Sequence, residues 1–234
     1  MEKKTKNPVE VVAMHGWAGD SRCWDPWIKA TAPLGWQWQC GERGYGGMPP
    51  RTPAWRGSPG TLRLVIGHSL GPHLLAPEIW QSANAAILLA SFGKFVPPGR
   101  RGLRLDQALE AMSTKLDSVE EALEMLAKFM ANAAHPKLPG PLLSGLADGP
   151  LNLERLRGDL QILRDSRGLP ASFPASISVL LVEGGQDQIV TPEARAMLRD
   201  AVPRAKTILL PEAGHALLES VEFPEVAGWV ESLP

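Results

Sequence analysis

The chain is poor in cysteine, in net charge and in long apolar runs, and each shortage excludes something. Cys23 and Cys40 are its only cysteines in 234 residues. They are too few for a disulfide framework and are not spaced as a CxxC site. No apolar run approaches the roughly 20 residues of a membrane span, and Val9 to Met14 is too brief for the core of a signal peptide. A formal net charge of -1 offers no global attraction to nucleic acid or to an anionic membrane. There is no internal repeat. His68 and His73 lack the HExxH spacing of a zinc site, and Gly44 to Gly47 lack the strand-to-helix setting of a phosphate loop. The expectation left is a cytoplasmic, monomeric globular protein without metal, cofactor, nucleic-acid or membrane partner. Its length suits one core that carries an inserted subdomain.

What is present alternates. Val9 to Met14, Trp36 to Cys40, Leu62 to Ile66, Ala85 to Ala90, Ile177 to Val182 and Thr207 to Leu210 read as short strands. Helical patterns over Arg22 to Ala32, after Pro192 and from about Phe223 fall between or after them, and Pro72 suits the first turn of a helix opening behind Leu62 to Ile66. Gly41 to Gly60, rich in Gly and Pro, predicts a surface loop. Such alternation predicts a mostly parallel sheet flanked by helices. From about Phe95 to Pro170 the strand pattern stops. Leu103 to Met112, Val119 to Ala134 and Leu153 to Leu163 are helical, with breaks around Pro136 to Pro141 and Gly149-Pro150. Residues 1–94 and 171–234 are therefore expected to form the core, and residues 95–170 an all-helical cap over the carboxyl ends of the strands.

The informative local motif is Gly67-His68-Ser69-Leu70-Gly71. G-x-S-x-G arises by chance in roughly one chain in eight of this composition, so its placement matters more than its letters. Here a strand precedes it and a helical reading follows, the setting in which a sharp turn exposes a serine hydroxyl. A serine needs a base, and the base needs an orienting acid. His215, in Ala213-Gly214-His215-Ala216 past the last strand, is the best-placed base. Asp187, which follows Ile177 to Val182 through Gly184-Gly185, is the acid; the fourth strand is followed by Ser91 and Phe92, with no carboxylate. An oxyanion needs backbone donors. Leu70, after the serine, supplies one, and Trp17, in His15-Gly16-Trp17, supplies the other, its indole lining the acyl pocket.

Over essentially its whole length the chain resembles the α/β-hydrolase superfamily, whose nucleophile, acid and base follow in the order Ser, Asp, His. Within it, the chain is most similar to the pimeloyl-[acyl-carrier protein] methyl ester esterases of biotin synthesis. That likeness rests on Met14-His15-Gly16-Trp17-Ala18-Gly19 with Trp24 downstream, on the elbow, on Gly185-Gln186-Asp187 and Gly214-His215-Ala216, and on Gly158 to Asp165, which resembles that family's last cap helix. The resemblance implies an α/β-hydrolase fold with an inserted helical cap and an N-terminal hairpin cut to almost nothing. It implies hydrolysis of the methyl ester of a seven-carbon acyl chain held on an acyl carrier protein. Such carriers are acidic, and cap arginines would dock them: Arg155, Arg157, Arg164 and Arg167 near the cap exit, with Arg100, Arg101 and Arg104 at its entrance. The same residues would equally serve a general short-chain carboxylesterase or thioesterase, or sit in a binding protein without turnover. Three departures bear on the pocket: the short hairpin, Gly41-Glu42-Arg43-Gly44 without the aspartate usual there, and Gly71-Pro72 in place of Gly-Gly.

Overall fold

The computed structural model describes residues 8–57, 60–137, 146 and 148–233. Six strands form one sheet in the order β2-β1-β3-β4-β5-β6, and every pairing is parallel. They are β1 (Val9–Met14), β2 (Gln37–Cys40), β3 (Leu62–His68), β4 (Ala85–Leu89), β5 (Ser178–Gly184) and β6 (Lys206–Leu210). The central strands are apolar on both sides because both faces are covered. Leu64, Ile66, Ile87, Leu89, Leu180 and Val182 pack on one face against Trp24, Trp27, Val226 and Val230. Alternate residues Val65, Ala86, Leu88, Val179 and Leu181 pack on the other against Ile79, Trp80 and Leu198.

The covering helices are α1 (Asp25–Thr31), α2 (Pro77–Gln81), α6 (Pro192–Ala201) and α7 (Phe223–Glu231). Between β4 and β5 lie α3 (Arg100–Lys115), α4 (Val119–Ala134) and α5 (Leu153–Asp165), with no strand among the described residues. Ser118 caps α4 by accepting from the Glu121 N–H, and Asn152 caps α5 by accepting from the Arg155 N–H. Helix α4 buries Ala122, Met125, Leu126, Met130 and Ala133, a helical stripe. That stripe joins Leu156, Leu160 and Leu163 of α5 in a cluster completed by Trp17, Tyr45, Leu70 and Phe92.

Strand β1 is flanked by β2 on one side and β3 on the other, so the chain reverses direction across the sheet between β1 and β3. The carboxyl ends at such a reversal splay apart and leave a crevice for a ligand. His15-Gly16-Trp17 and Ser69 both leave the sheet there.

Two sequence expectations need correction. No α-helix opens at the elbow: Gly71–Leu74 is a single 3-10 turn, Leu75 and Ala76 are extended, and α2 begins only at Pro77. Pro77 disfavours a helical conformation at Ala76 and so interrupts the helix. The expected helix from Arg22 splits into a 3-10 turn, Ser21–Trp24, capped by Asp20, and α1, which carries Pro26 in its first turn. The expected hairpin truncation falls on residues 1–7, and most of the break around Pro136 to Pro141 on residues 138–145, both outside the described residues. Among the described residues no helix is long and apolar enough to cross a membrane.

Candidate active site

Ser69 stands one residue past β3 with φ of 54°, a left-handed conformation that non-glycine residues seldom adopt. Neighbouring groups hold it there. Its N–H donates to the Leu89 carbonyl at 2.9 Å, and its own carbonyl accepts from Ser91 Oγ at 2.7 Å. Two motif glycines are required by close approach. A Cβ on Gly67 would lie 2.5 Å from Pro72 Cγ, and one on Gly71 would lie 2.2 Å from the Met14 carbonyl oxygen.

His215 lies beyond β6 and is buried. Its Nδ1 is 3.0 Å from Asp187 Oδ2, the arrangement of an imidazole N–H donating to a carboxylate. The other oxygen, Oδ1, accepts from the N–H groups of Ile189 and Val190 at 2.8 and 3.0 Å. Burial alone would raise the Asp187 carboxyl; the His215 contact and the two N–H bonds outweigh it and hold the group below the ordinary value. Asp187 therefore stays ionised and faces His215. His68, next to the serine, donates from Nε2 to the His215 carbonyl at 3.0 Å, and the two rings are 5.0 Å apart.

Ser69 and His215 border one cavity of about 40 Å³, walled by Gly16, Trp17, Phe129 and Met130. Among the described residues their side chains share no hydrogen bond, a contact that commonly tightens only when substrate is bound. The Trp17 and Leu70 residues are buried, and among the described residues neither main-chain N–H has an acceptor. Buried N–H groups are rarely left unpaired. The Trp17 indole borders the cavity as expected, and also donates from Nε1 to the Leu156 carbonyl of α5 at 2.8 Å.

The four cap-exit arginines do not form one free patch. Arg157 pairs with Asp117 at 2.6 Å, and Arg164 pairs with Asp106 at 2.6 Å and with Glu110. Among the described residues Arg155 and Arg167 pair with no carboxylate. Of the entrance group, Arg101 pairs with Glu193 at 2.7 Å. Among the described residues no group of three metal-ligating side chains is assembled.

Two polar centres beside the site were missed in the sequence reading. Asp159, buried on α5, accepts from Arg43 Nε at 2.7 Å and from the Tyr45 hydroxyl at 2.6 Å. Its signal was present: it falls within the apolar stripe Leu156, Leu160, Leu163, where a carboxylate needs a partner. Glu42, also buried, accepts from the N–H groups of Ser21 and Gly44 at 2.7 and 2.8 Å and faces His15. Burial opposes its ionisation, but His15 and these two N–H groups lower its pKa to about 2. His15 Nε2 lies 3.4 Å from Glu42 Oε1 and 3.1 Å from the Arg43 nitrogen, and its Nδ1 lies 2.8 Å from the Gly16 carbonyl oxygen.

No protein-family model and no curated protein sequence matches the chain. Solved structures do. An esterase from Exiguobacterium antarcticum superposes with a TM-score of 0.72 at 17% identity, covering 97% of this chain and 92% of that one. A bromoperoxidase from Bacillus anthracis gives 0.70 at 14% identity, covering 96% and 92%. MenH from S. aureus gives 0.64 at 15% identity, covering 99% and 96%. Proteins with such different names share one architecture, so the likeness speaks for the fold and leaves the reaction to the site. With its parallel six-stranded sheet, the helices on both faces and the helical block before β5, the chain has the α/β-hydrolase fold.

Proposed function

We propose that the protein is a serine hydrolase that cleaves a carboxylic ester through Ser69, His215 and Asp187. The observation that carries this reading is the buried His215–Asp187 pair at 3.0 Å, whose histidine borders one cavity with a serine held at positive φ. In this reading residues 1–94 and 171–234 form the core, and residues 95–170 cap the site. Ser69 Oγ attacks the ester carbonyl carbon as His215 Nε2 takes its proton, and Asp187 stabilises the imidazolium. The negative oxygen of the tetrahedral intermediate lies against the N–H groups of Trp17 and Leu70. Collapse breaks the bond to the alcohol oxygen, which leaves with the proton from His215. Water, deprotonated by the same histidine, then releases the acid and restores Ser69. No cofactor is needed.

The cavity bears on the substrate. A water needs about 10–15 Å³ of such space, so the room beside Ser69 holds about three heavy atoms. A small group on one side of the ester suits this space. A methyl ester fits this, and the sequence likeness of Gly158 to Asp165 favours the methyl ester of pimeloyl-acyl-carrier protein, with Arg155 and Arg167 free to meet an acidic carrier. A general short-chain carboxylesterase or thioesterase is the second reading, favoured by the same small cavity.

The test compares hydrolysis of the carrier-linked methyl ester with that of p-nitrophenyl butyrate, beside Ser69→Ala and fluorophosphonate labelling. Ser69→Ala should lower kcat by on the order of 10⁵-fold or more and abolish labelling. Fast cleavage of the carrier-linked ester supports the first reading, and cleavage of the generic ester alone supports the second. Turnover that survives Ser69→Ala would refute both.

A further inference from the structure

A second cleft lies outside the Ser69 site, with a volume of about 480 Å³, within the range of small-molecule sites. It shares no lining residue with the Ser69 cavity. Between the two stands the contact of His15 with Glu42: His15 borders the first space and Glu42 the second. The cleft is walled by the loop after β2, by the extended segment after the elbow turn and by one face of α5. We propose that it binds an amphipathic anion, a carboxylate or phosphate head on a short apolar chain.

Charge is the first argument. Arg43, Arg51 and Arg155 all line the cleft. Arg43 is committed to Asp159. Arg51 spends Nε on the Cys40 carbonyl at 2.7 Å, which leaves its two terminal nitrogens. Arg155 uses its backbone N–H on Asn152, and among the described residues its guanidinium meets no carboxylate. On the same helix Arg157 and Arg164 are each held by carboxylates of α3 or the segment after it. Two arginines with guanidinium donors to spare thus line one cavity, and such groups take a carboxylate or phosphate in paired hydrogen bonds. The ionised Glu42 carboxylate in the wall, which accepts from Ser21 and Gly44, offsets one of these two charges and leaves the lining positive, since Arg43 is already balanced by Asp159. Burial depresses the His73 pKa and outweighs the Phe92 carbonyl, which accepts from Nε2–H and acts the other way, so His73 adds little positive charge at neutral pH.

Shape is the second. Helical spacing places Arg155, Asp159 and Ile162 along one side of α5, so the charged head and an apolar wall lie next to each other. Ile162 is 41% exposed, a large apolar side chain left open at the rim, and Met14 and Leu75 complete the apolar lining. A ligand with a charged head and a short apolar tail uses both parts, whereas free phosphate or a neutral alcohol uses one.

Calorimetric titration tests this with hexyl phosphate and hexanoate, beside inorganic phosphate and hexanol. At least one chain-bearing anion should bind saturably and more tightly than either control, and the stronger of the two identifies the head group. The double variant Arg51→Gln/Arg155→Gln should weaken that binding by about tenfold or more. Ile162→Asp, at an exposed position that folding does not depend on, should weaken it as well. Arg100→Gln, the same charge change at the start of α3, should leave it unaltered. Absence of saturable binding by both anions overturns the proposal, as do equal binding by hexanol and indifference to both Arg51→Gln/Arg155→Gln and Ile162→Asp. None of these residues borders the Ser69 cavity, so failure here and failure of the hydrolase reading are separate results.

Discussion

His68 shows how much a single side chain beside the nucleophile can determine. Burial first, and the neighbouring His215 charge second, depress its pKa to about 3, so it is neutral over the whole range in which an esterase works. A neutral ring that donates from Nε2 keeps doing so, and it holds the carbonyl of His215 at 3.0 Å. It is a positioning residue: its bond fixes the backbone from which the base projects. His68→Leu leaves a buried carbonyl unpaired, a cost of about 1–3 kcal/mol. Expressed in the transition state, that is on the order of tenfold to a hundredfold in kcat. His68→Gln, which retains a donor, should recover part of the loss in kcat. Equal activity of the two variants would show that the bond has no such role. Glu42 gives a stability signal of defined sign. Its folded pKa of about 2 lies below the ordinary 4.5, so the unfolded chain takes up the proton first as pH falls. The stabilisation is complete above about pH 5 and fades between pH 4.5 and 2. Urea unfolding of wild type and Glu42→Gln should show a gap at pH 7 that narrows by pH 3; a gap independent of pH contradicts the assignment.

At the scale of elements, α5 is fastened to the loop after β2 by one carboxylate. Asp159 receives Arg43 and Tyr45 together, and Asp159→Asn removes the charge that both need. Taking one partner from a buried ion pair costs about 3–5 kcal/mol, and a value near the lower end is expected because the Arg43 side chain is 20% exposed. Tyr45→Phe, which removes one hydrogen bond, should cost about 1 kcal/mol in the same denaturation series. This fastening also shows what a sequence can reveal of its own elements. The central strands were legible because their apolar residues run continuously where both sheet faces are covered. Helix α4 was legible from Val119 to Ala134 because its apolar stripe is a local pattern. The elbow was misread as the start of a helix because Pro72 fits a first turn, while the decisive residue, Pro77, acts five positions later. Asp159 and Glu42 were missed for a different reason. Their partners are 116 and 21 residues away, and no local pattern brings such pairs together. Ser69, Asp187 and His215 are also remote from one another in sequence, yet each follows the carboxyl end of a strand of a parallel sheet, and parallel strands bring those ends to one edge.

At the scale of the whole molecule, the proposed site belongs to neither layer alone. The sheet supplies Ser69, His215 and Asp187 at its carboxyl edge, and α4 supplies the wall opposite, through Phe129, Met130 and Ala133. Trp17 joins the two, with its ring against Phe129 at 5.0 Å and its indole N–H on the Leu156 carbonyl. A pocket built across such a seam is sized by the helix, while its chemistry is set by the sheet. The two should therefore separate under mutation. Met130 is buried and borders the cavity, and Met130→Ala removes three heavy atoms from the wall. That roughly doubles the space beside Ser69, since the present cavity holds only about three heavy atoms. The cost in stability should be about 2–4 kcal/mol, as for other large-to-small changes in a packed cluster. Two ester series read the effect: methyl to butyl esters of one acid, and p-nitrophenyl acetate to octanoate. Wild type should lose kcat/KM steeply with length in the series whose varied half occupies the cavity. Met130→Ala should move that fall to longer members and leave the fluorophosphonate labelling of Ser69 intact. The series that shifts identifies whether the alcohol or the acyl half sits beneath α4; a shift in neither would mean that the substrate reaches Ser69 by another route.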